Sequence, residues 1–430
     1  MSSHNKTAVE LLKKDRIRIG AYGPLKTYNE IQETDIQKLA EAGIDFAIIR
    51  AGELAENKKY DVFKWLADNG IEAAVSDKNL QKFYERASLL DLDKADQMWF
   101  KDEPSYTYCF YVDEPGIEHF EVLGKEIEKF NKMFPDKKAY VNLLPMYANS
   151  AQLSGGAWKA PIEYYEQPSA DYRQYLEEYI KHVPTDFISA DIYPCKRGID
   201  PDNPDMFPAE YTKPTYADYV KNIELLADAC RRSGREMWTC IQTCSWHYSV
   251  REPDEADLRW QAYTMLSFGA KAMMYYTFAD RTMHTGALIN VRGDRTKLFF
   301  ASKRMCEGLH KLSDIYVQYK NIGAFNLNST PETTPYLEMY QPYTGFDTIS
   351  EICCDTPLLV GCFEKKDGNG TAFTLVNMQD FNMPKSCTVR FRANGIITMY
   401  YDGEPKQLEA VNSEYTVTLS QGDGVFITAE

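Results

Sequence analysis

From residue 17 to about 320, short apolar runs alternate with stretches whose apolar residues recur every three or four positions. The runs at 17–23, 45–50 (DFAIIR), 71–75, 108–112, 138–144 (KAYVNLL), 186–193 (DFISADIY), 237–243 and 272–278 are apolar on both faces. That pattern predicts buried parallel strands. Between them, helical spacing predicts helices. One carries Ile36, Leu39 and Ala40 and another Val62, Phe63 and Leu66; they end at Gly43 and Gly70. Further helices are expected over 80–90, along Phe120, Leu123, Ile127 and Phe130, along Tyr172, Tyr175, Leu176 and Tyr179, and over 216–233, 255–268 and 297–312. Two long loops, 146–169 and 196–214, interrupt the series, and loops of that length often carry function.

Eight strand–helix pairs over about 300 residues is the count of a (β/α)8 TIM barrel, here placed at residues 16–325. An open doubly wound sheet would need a Gly-rich phosphate turn after the first strand. Gly20-Ala21-Tyr22-Gly23-Pro24 is not one. Beyond about residue 330 the helical spacing stops. Short alternating strands (LLVGCF, TAFTLVN, CTVRFR, GIITMYY, EYTVTL, GVFITA) are separated by Gly-, Asn- and Asp-rich turns. They predict an antiparallel β-sandwich at 335–430.

In such a barrel the chemistry sits at the C-terminal ends of the strands. The fourth strand is the most informative. It runs through Tyr108-Cys109-Phe110-Tyr111-Val112 into Asp113-Glu114 and is stopped by Pro115-Gly116. Two carboxylates there are hard to explain by packing. The other strand ends supply Tyr22, Arg50, Asp77, Asn142, Asp191 with Tyr193, Gln242 with Trp246 and His247, then Tyr276 and Asp280. The set is rich in carboxylates, amides and aromatics and poor in Cys, Lys and Ser. Paired carboxylates flanking a cleft are what glycosidic cleavage needs: one protonates the leaving oxygen, the other attacks or activates water. Amides and Arg would hold hydroxyls, and Trp and Tyr would cover the apolar face of a sugar ring.

Composition narrows the partners. The formal net charge is -15, which argues against nucleic acid and anionic membranes and is compatible with a neutral glycoside or oligosaccharide. The ten Cys form no CxxC pair and read as reduced, mostly buried thiols. With no apolar signal region and no run long enough to span a bilayer, a cytoplasmic protein is expected. With 6 His and no HxH or HxxxH spacing, neither a metal nor a cofactor is expected.

The DEP after the fourth strand, the YVNLLP fifth strand, the DIYP sixth strand and the terminal sandwich together resemble glycoside-hydrolase TIM barrels akin to the family 42 and family 5 glycosidases of clan A. The resemblance implies a glycoside hydrolase, with an acid/base Glu ending the fourth strand. Glu114 matches it, although Asp113 stands where the clan usually has Asn. It also implies a nucleophilic Glu ending the seventh strand, but WTCIQTCSW holds no carboxylate. Asp191 is then the first substitute, with Asp280 and Asp77 behind it.

The expectation is therefore a two-domain glycoside hydrolase with Glu114 and Asp191 as catalytic carboxylates. Arg50, Asp77, Asp113, Asn142, Tyr193, Trp246, His247 and Tyr276 would contact substrate. Three of these have a plainer reading. Glu114 can be a first-turn helix acid, Asp191 can cap a loop before Pro194, and Arg50 can be a structural counter-ion to Asp113 or Glu114. Two rival functions stay open: a carbohydrate-binding barrel with a lapsed site, and a non-glycosidic barrel enzyme such as a lyase or metal-dependent hydrolase.

Overall fold

The apolar runs become the staves of a closed parallel barrel in this computed structural model, which describes residues 15–24, 28, 30–84, 87–155, 171–195, 216–246, 250–281, 284–328, 346–378 and 386–430. The staves are β1 (Arg18–Tyr22), β2 (Phe46–Arg50), β3 (Glu72–Ser76), β4 (Tyr106–Asp113), β5 (Lys138–Leu143), β6 (Phe187–Ala190), β7 (Glu236–Gln242) and β8 (Ala270–Tyr276). Their order around the barrel is β1-β8-β7-β6-β5-β4-β3-β2. This is the (β/α)8 architecture expected from the strand count. The helices that follow the staves include α1 (Glu33–Glu41), α2 (Lys59–Asp68), α3 (Phe120–Met133), α4 (Tyr172–His182), α5 (Tyr216–Ser233), α6 (Glu255–Ser267) and α7 (Lys297–Tyr316). On α3 the predicted stripe of Phe120, Leu123, Ile127 and Phe130 is fully buried.

The packing forms two compact units, one comprising Arg18–Asp191 and Asp228–Cys240, the other the described residues of Asp15–Ile17, Ile192–Ala227 and Ile241–Glu430. In the first unit an aromatic plug fills the lumen. Phe187 and Trp238 stack with centroids 3.8 Å apart, and Phe46, Tyr108 and Tyr140 pack around Trp238 at 5.2–5.6 Å. Gly20 is required there, because a Cβ would stand 2.1 Å from the tip of Phe46. Near this plug Arg18 pairs with buried Glu72, which also accepts from Tyr108 Oη at 3.3 Å.

One predicted element differs. Residues 80–90 form a two-stranded antiparallel hairpin, Gln81–Tyr84 with Ala87–Leu90, rather than a helix. A backbone bond from Asp91 N–H to Leu80 O (2.7 Å) closes it. Over ten residues, apolar spacing does not separate the two alternatives.

In the second unit the C-terminal strands form two antiparallel sheets. The strands are β9 (Tyr319–Leu327), β10 (Ile349–Cys354), β11 (Leu358–Lys365), β12 (Thr371–Asn377), β13 (Cys387–Ala393), β14 (Ile397–Tyr401), β15 (Glu404–Gln407), β16 (Tyr415–Leu419) and β17 (Gly424–Ala429). The larger sheet has the order β9-β11-β12-β17-β14-β15, the smaller β10-β13-β16. All six strands read from the alternation are present. On β13, Cys387, Val389 and Phe391 face the core while Thr388, Arg390 and Arg392 face out. The alternation did not announce β9, β10 or β15, and β9 begins before residue 325.

Within this same unit α6 contacts β8 and the sheet strand β12. Buried on both sides, it carries no single apolar stripe: every residue from Asp257 to Ser267 is buried. Arg259 on α6 reaches Asp423 (2.6 Å) and Asp402 (2.7 Å), and Ser267 Oγ lies 2.6 Å from Thr374 Oγ1. All ten cysteines are free thiols, eight of them buried. No described helix is long and apolar enough to cross a membrane.

Candidate active site

The fourth strand does not end as a regular strand. Phe110 faces the lumen, edge-on to Tyr140, while Tyr111 faces outward against Phe130 on α3. The register with β5 then slips between Phe110 and Val112. Glu114 follows with φ of 52°, in the left-handed region that L-residues avoid at about 1 kcal/mol. A bond from Glu114 N–H to Asn142 O (2.8 Å) holds it there. Adjacent residues on a strand normally point to opposite faces. Here the irregular end brings both acids into one cluster: Asp113 with Asn142, and Glu114 with Asp191.

Asn142, near the end of β5, ties the cluster together. Its Nδ2 donates to Asp113 Oδ1 (3.0 Å) and to Asp191 Oδ1 (3.2 Å). Its Oδ1 accepts from Ser189 Oγ on β6 (3.0 Å), which sets the amide so that its donors face the carboxylates. Asp191 follows β6 directly. It is buried and shares a hydrogen bond with the Glu114 carboxyl. From α4, Tyr175 pins the loops on either side: its hydroxyl donates to Pro115 O (2.6 Å) and accepts from Leu144 N–H (3.2 Å).

Burial and crowding keep this cluster from ionising fully. Burial pushes Glu114 up to about 7, and the neighbouring Asp113 charge adds to it. Asp191 is raised well above the usual carboxylate range, first by burial, then by Glu114 and Asp113. Asp113 is also raised by burial, but Asn142 and the Arg50 charge hold it back. The protons of a hydrogen-bonded carboxyl pair of this kind leave in two steps that belong to the pair rather than to either residue. Chemically, the pair is a buried proton donor that becomes a base once the proton has left.

The remaining predicted residues divide. Arg50, at the end of β2, donates to Tyr22 Oη (3.3 Å), pairs with Glu53 (3.6 Å) and stabilises the Asp113 anion. Asp77 is buried in a turn, where it accepts from Asn79 N–H (2.9 Å) and abuts Gly52. It is not among the groups hydrogen-bonded to Glu114, Asn142 or Asp191. Asp280 likewise accepts from its own loop, at Ala287 N–H (2.8 Å). In the second unit, Tyr193, Trp246 and Tyr276 cluster with centroids 4.8–5.2 Å apart, and Tyr276 Oη lies 3.1 Å from His284 Nε2. His247 lies outside the described residues.

Gln242 ends β7, where the resemblance calls for a carboxylate, and it is completely buried. Its Nε2 donates to the carbonyls of Cys195 (3.3 Å), Cys244 (3.1 Å) and Arg251 (2.9 Å), and its Oε1 accepts from Cys195 N–H (2.8 Å). Both amide hydrogens and one acceptor site of the oxygen are taken up by backbone. Two residues escaped the sequence reading. Ser189 reads as an ordinary core position, although it sits one residue before the strand end. Tyr147 lies in a loop that carried no pattern. The residue is 48% exposed, and its hydroxyl is raised by burial and by the charges of Asp191 and Glu114. Among the described residues no group of three or more His, Cys, Asp or Glu could hold a metal ion.

No protein-family model matches the sequence, and no curated protein matches it. Solved structures do match. Gan42B, a GH42 β-galactosidase from G. stearothermophilus, aligns over 97% of this chain and 99% of that chain at TM-score 0.60 and 8% identity. A β-galactosidase from Bacillus circulans sp. alkalophilus aligns over 97% and 99% at TM-score 0.52 and 11% identity. The chain spans 60% and 58% of the length of β-galactosidases from Marinomonas ef1 and Halorubrum lacusprofundi, at TM-score 0.44. At these identities the likeness is one of fold. The chain has the barrel-plus-sandwich architecture found among clan A glycosidases.

Proposed function

We propose that the chain is a glycoside hydrolase. Glu114 is its general acid/base, and Arg50, Asp113 and Asn142 hold the sugar. The observation that carries this reading is the hydrogen-bonded Glu114–Asp191 pair, assembled by strained backbone at the C-terminal ends of barrel strands. A packing role explains neither the left-handed Glu114 nor a second buried carboxylate placed against it. The acid is tuned to hold its proton near neutral pH, which is what protonating a leaving oxygen needs. The boundaries at 16–325 and 335–430 remain our division into catalytic and sandwich domains.

The test is hydrolysis of a panel of aryl glycosides and oligosaccharides by the wild type beside Glu114→Gln. Turnover by the wild type and its loss in the variant, by roughly 100-fold or more, is expected. A variant that keeps full activity on a substrate the wild type cleaves would sink the reading. The locked amide of Gln242 favours one alternative, a barrel that binds carbohydrate without cleaving it. That protein would bind oligosaccharides by calorimetry and turn none over.

A further inference from the structure

The C-terminal sandwich holds two nucleophilic groups that the barrel's carboxylates leave unused. Cys354 ends β10, an edge strand of the smaller sheet, and stands opposite Val389 on β13. Cys387 begins β13, two residues before Val389 and on the same inward face. Diagonal neighbours across a strand pair are within reach of each other. Here the two sulfurs lie 3.2 Å apart, closer than the ordinary contact of two sulfur atoms. The adjacent Cys353 is exposed on the other face, opposite Arg390, and points away from both.

The two thiols differ in access. Cys387 is completely buried in the sandwich core. Cys354 is only partly buried and packs against that core from the edge. Just beyond it the chain bends at Asp355-Thr356, and the Thr356 hydroxyl lies 3.2 Å from Cys354 Sγ. Asn328, just past β9, clamps the bend: its Nδ2 donates to Cys354 O and to Thr356 O (3.2 Å). Hydrogen bonds from the Cys387 thiol, then from Thr356, lower Cys354 to about 6. The same contact, with burial, pushes Cys387 up. A reachable thiolate therefore lies against a shielded thiol. Thiol–disulfide exchange needs that division, in which one sulfur meets the reagent and the other displaces it.

We propose that Cys354 and Cys387 form a redox-active pair, a dithiol that low-molecular-weight disulfides of the glutathione type convert reversibly to an intrachain disulfide. The barrel's chemistry takes no part in it. The Cys354 thiolate attacks one sulfur of the reagent RSSR, and RS⁻ leaves with the bonding pair. Cys387 gives its proton to that RS⁻, and its sulfur attacks Cys354 Sγ. The second RS⁻ leaves and takes a proton from solvent. The protein has lost two electrons, the reagent has gained them, and two reagent thiols are released. Closing the gap takes a sulfur shift of about 1 Å, which side-chain rotation at a strand end supplies. The loop so closed contains β11 and β12, two interior strands of the larger sheet. Oxidation thus restrains the unfolded sandwich and holds the edge strand β10 to β13.

The experiment incubates the folded, full-length protein with oxidised glutathione, quenches with acid, then denatures, alkylates and peptide-maps without reduction. A Cys354–Cys387 crosslink that dithiothreitol removes is expected, in the wild type and in Cys353→Ser alike. Cys387→Ala should stop at the mixed disulfide, with one glutathione retained on Cys354. Cys354→Ala should slow modification of Cys387 by on the order of 100-fold or more, since the buried sulfur meets no reagent. Oxidation should raise the thermal midpoint of the wild type by on the order of 5 °C and leave that of Cys354→Ala unchanged. No crosslink in wild-type protein that is folded by circular dichroism overturns the proposal, as does a crosslink through Cys353 instead. A crosslink that forms only after urea is added overturns it too. A crosslink with no shift in the midpoint overturns the stabilising role.

Discussion

Glu114 links a backbone conformation to a protonation state, so one substitution reads both. Its pKa rises from the ordinary carboxylate value to about 7 in the fold. The folded state therefore holds this proton more tightly than the unfolded chain. The associated stability is fully present below about pH 4.5 and is lost as pH rises through about 7. Glu114→Gln removes that loss. The variant should be more stable than the wild type at pH 8, by roughly 1–3 kcal/mol, and close to it at pH 5. Urea unfolding at the two pH values reads the difference. Activity should fall as pH rises through about 7, where Glu114 loses its proton. Asn142→Ala is expected to act in the opposite sense on stability. It strips Asp113 and Asp191 of their common donor and leaves Ser189 facing a void, at a cost of about 1–3 kcal/mol. Its pH–rate profile should also move, which a merely structural defect would not cause.

At the scale of elements, the barrel strands were legible because buried parallel strands announce themselves as apolar runs of limited length. Asp113 and Glu114 were legible as well, since charge at the end of such a run has no packing explanation. Three things were not. The hairpin at 80–90 is too short for apolar spacing to separate strand from helix. β15, Glu-Pro-Lys-Gln, is exposed along its whole length and carries no alternation. The proximity of Glu114 to Asp191 depends on a register slip and a positive φ, and neither leaves a mark in a pattern of apolar and polar residues. Arg259 makes the element scale testable. It joins α6 to the β-sheet region through Asp423, which is buried, and Asp402, which is 42% exposed on its side chain. Arg259→Ala should cost about 3–5 kcal/mol because it strands the buried Asp423 charge. Asp402→Asn should cost about 0–1 kcal/mol, since that partner remains solvated. Chemical denaturation of both variants distinguishes the two roles.

For the whole molecule, the charge of -15 and the carboxylate-rich strand ends bias recognition against anions. A substrate analogue with a carboxylate at C6 should show kcat/KM lowered by roughly 10-fold at low ionic strength, with recovery as salt is raised. Stopped assays across a salt series measure it. The lock on Gln242 bears on the chain's history. Glu at that position would set an anion against three carbonyl oxygens and forfeit their donor. A protein with this wiring does not gain a seventh-strand carboxylate in one mutational step. The three carbonyls would have to find new donors beforehand, and each such change would be selected for nothing while the carboxylate was still missing. The lock therefore acts as a ratchet, and descendants of this chain inherit an amide at the end of β7.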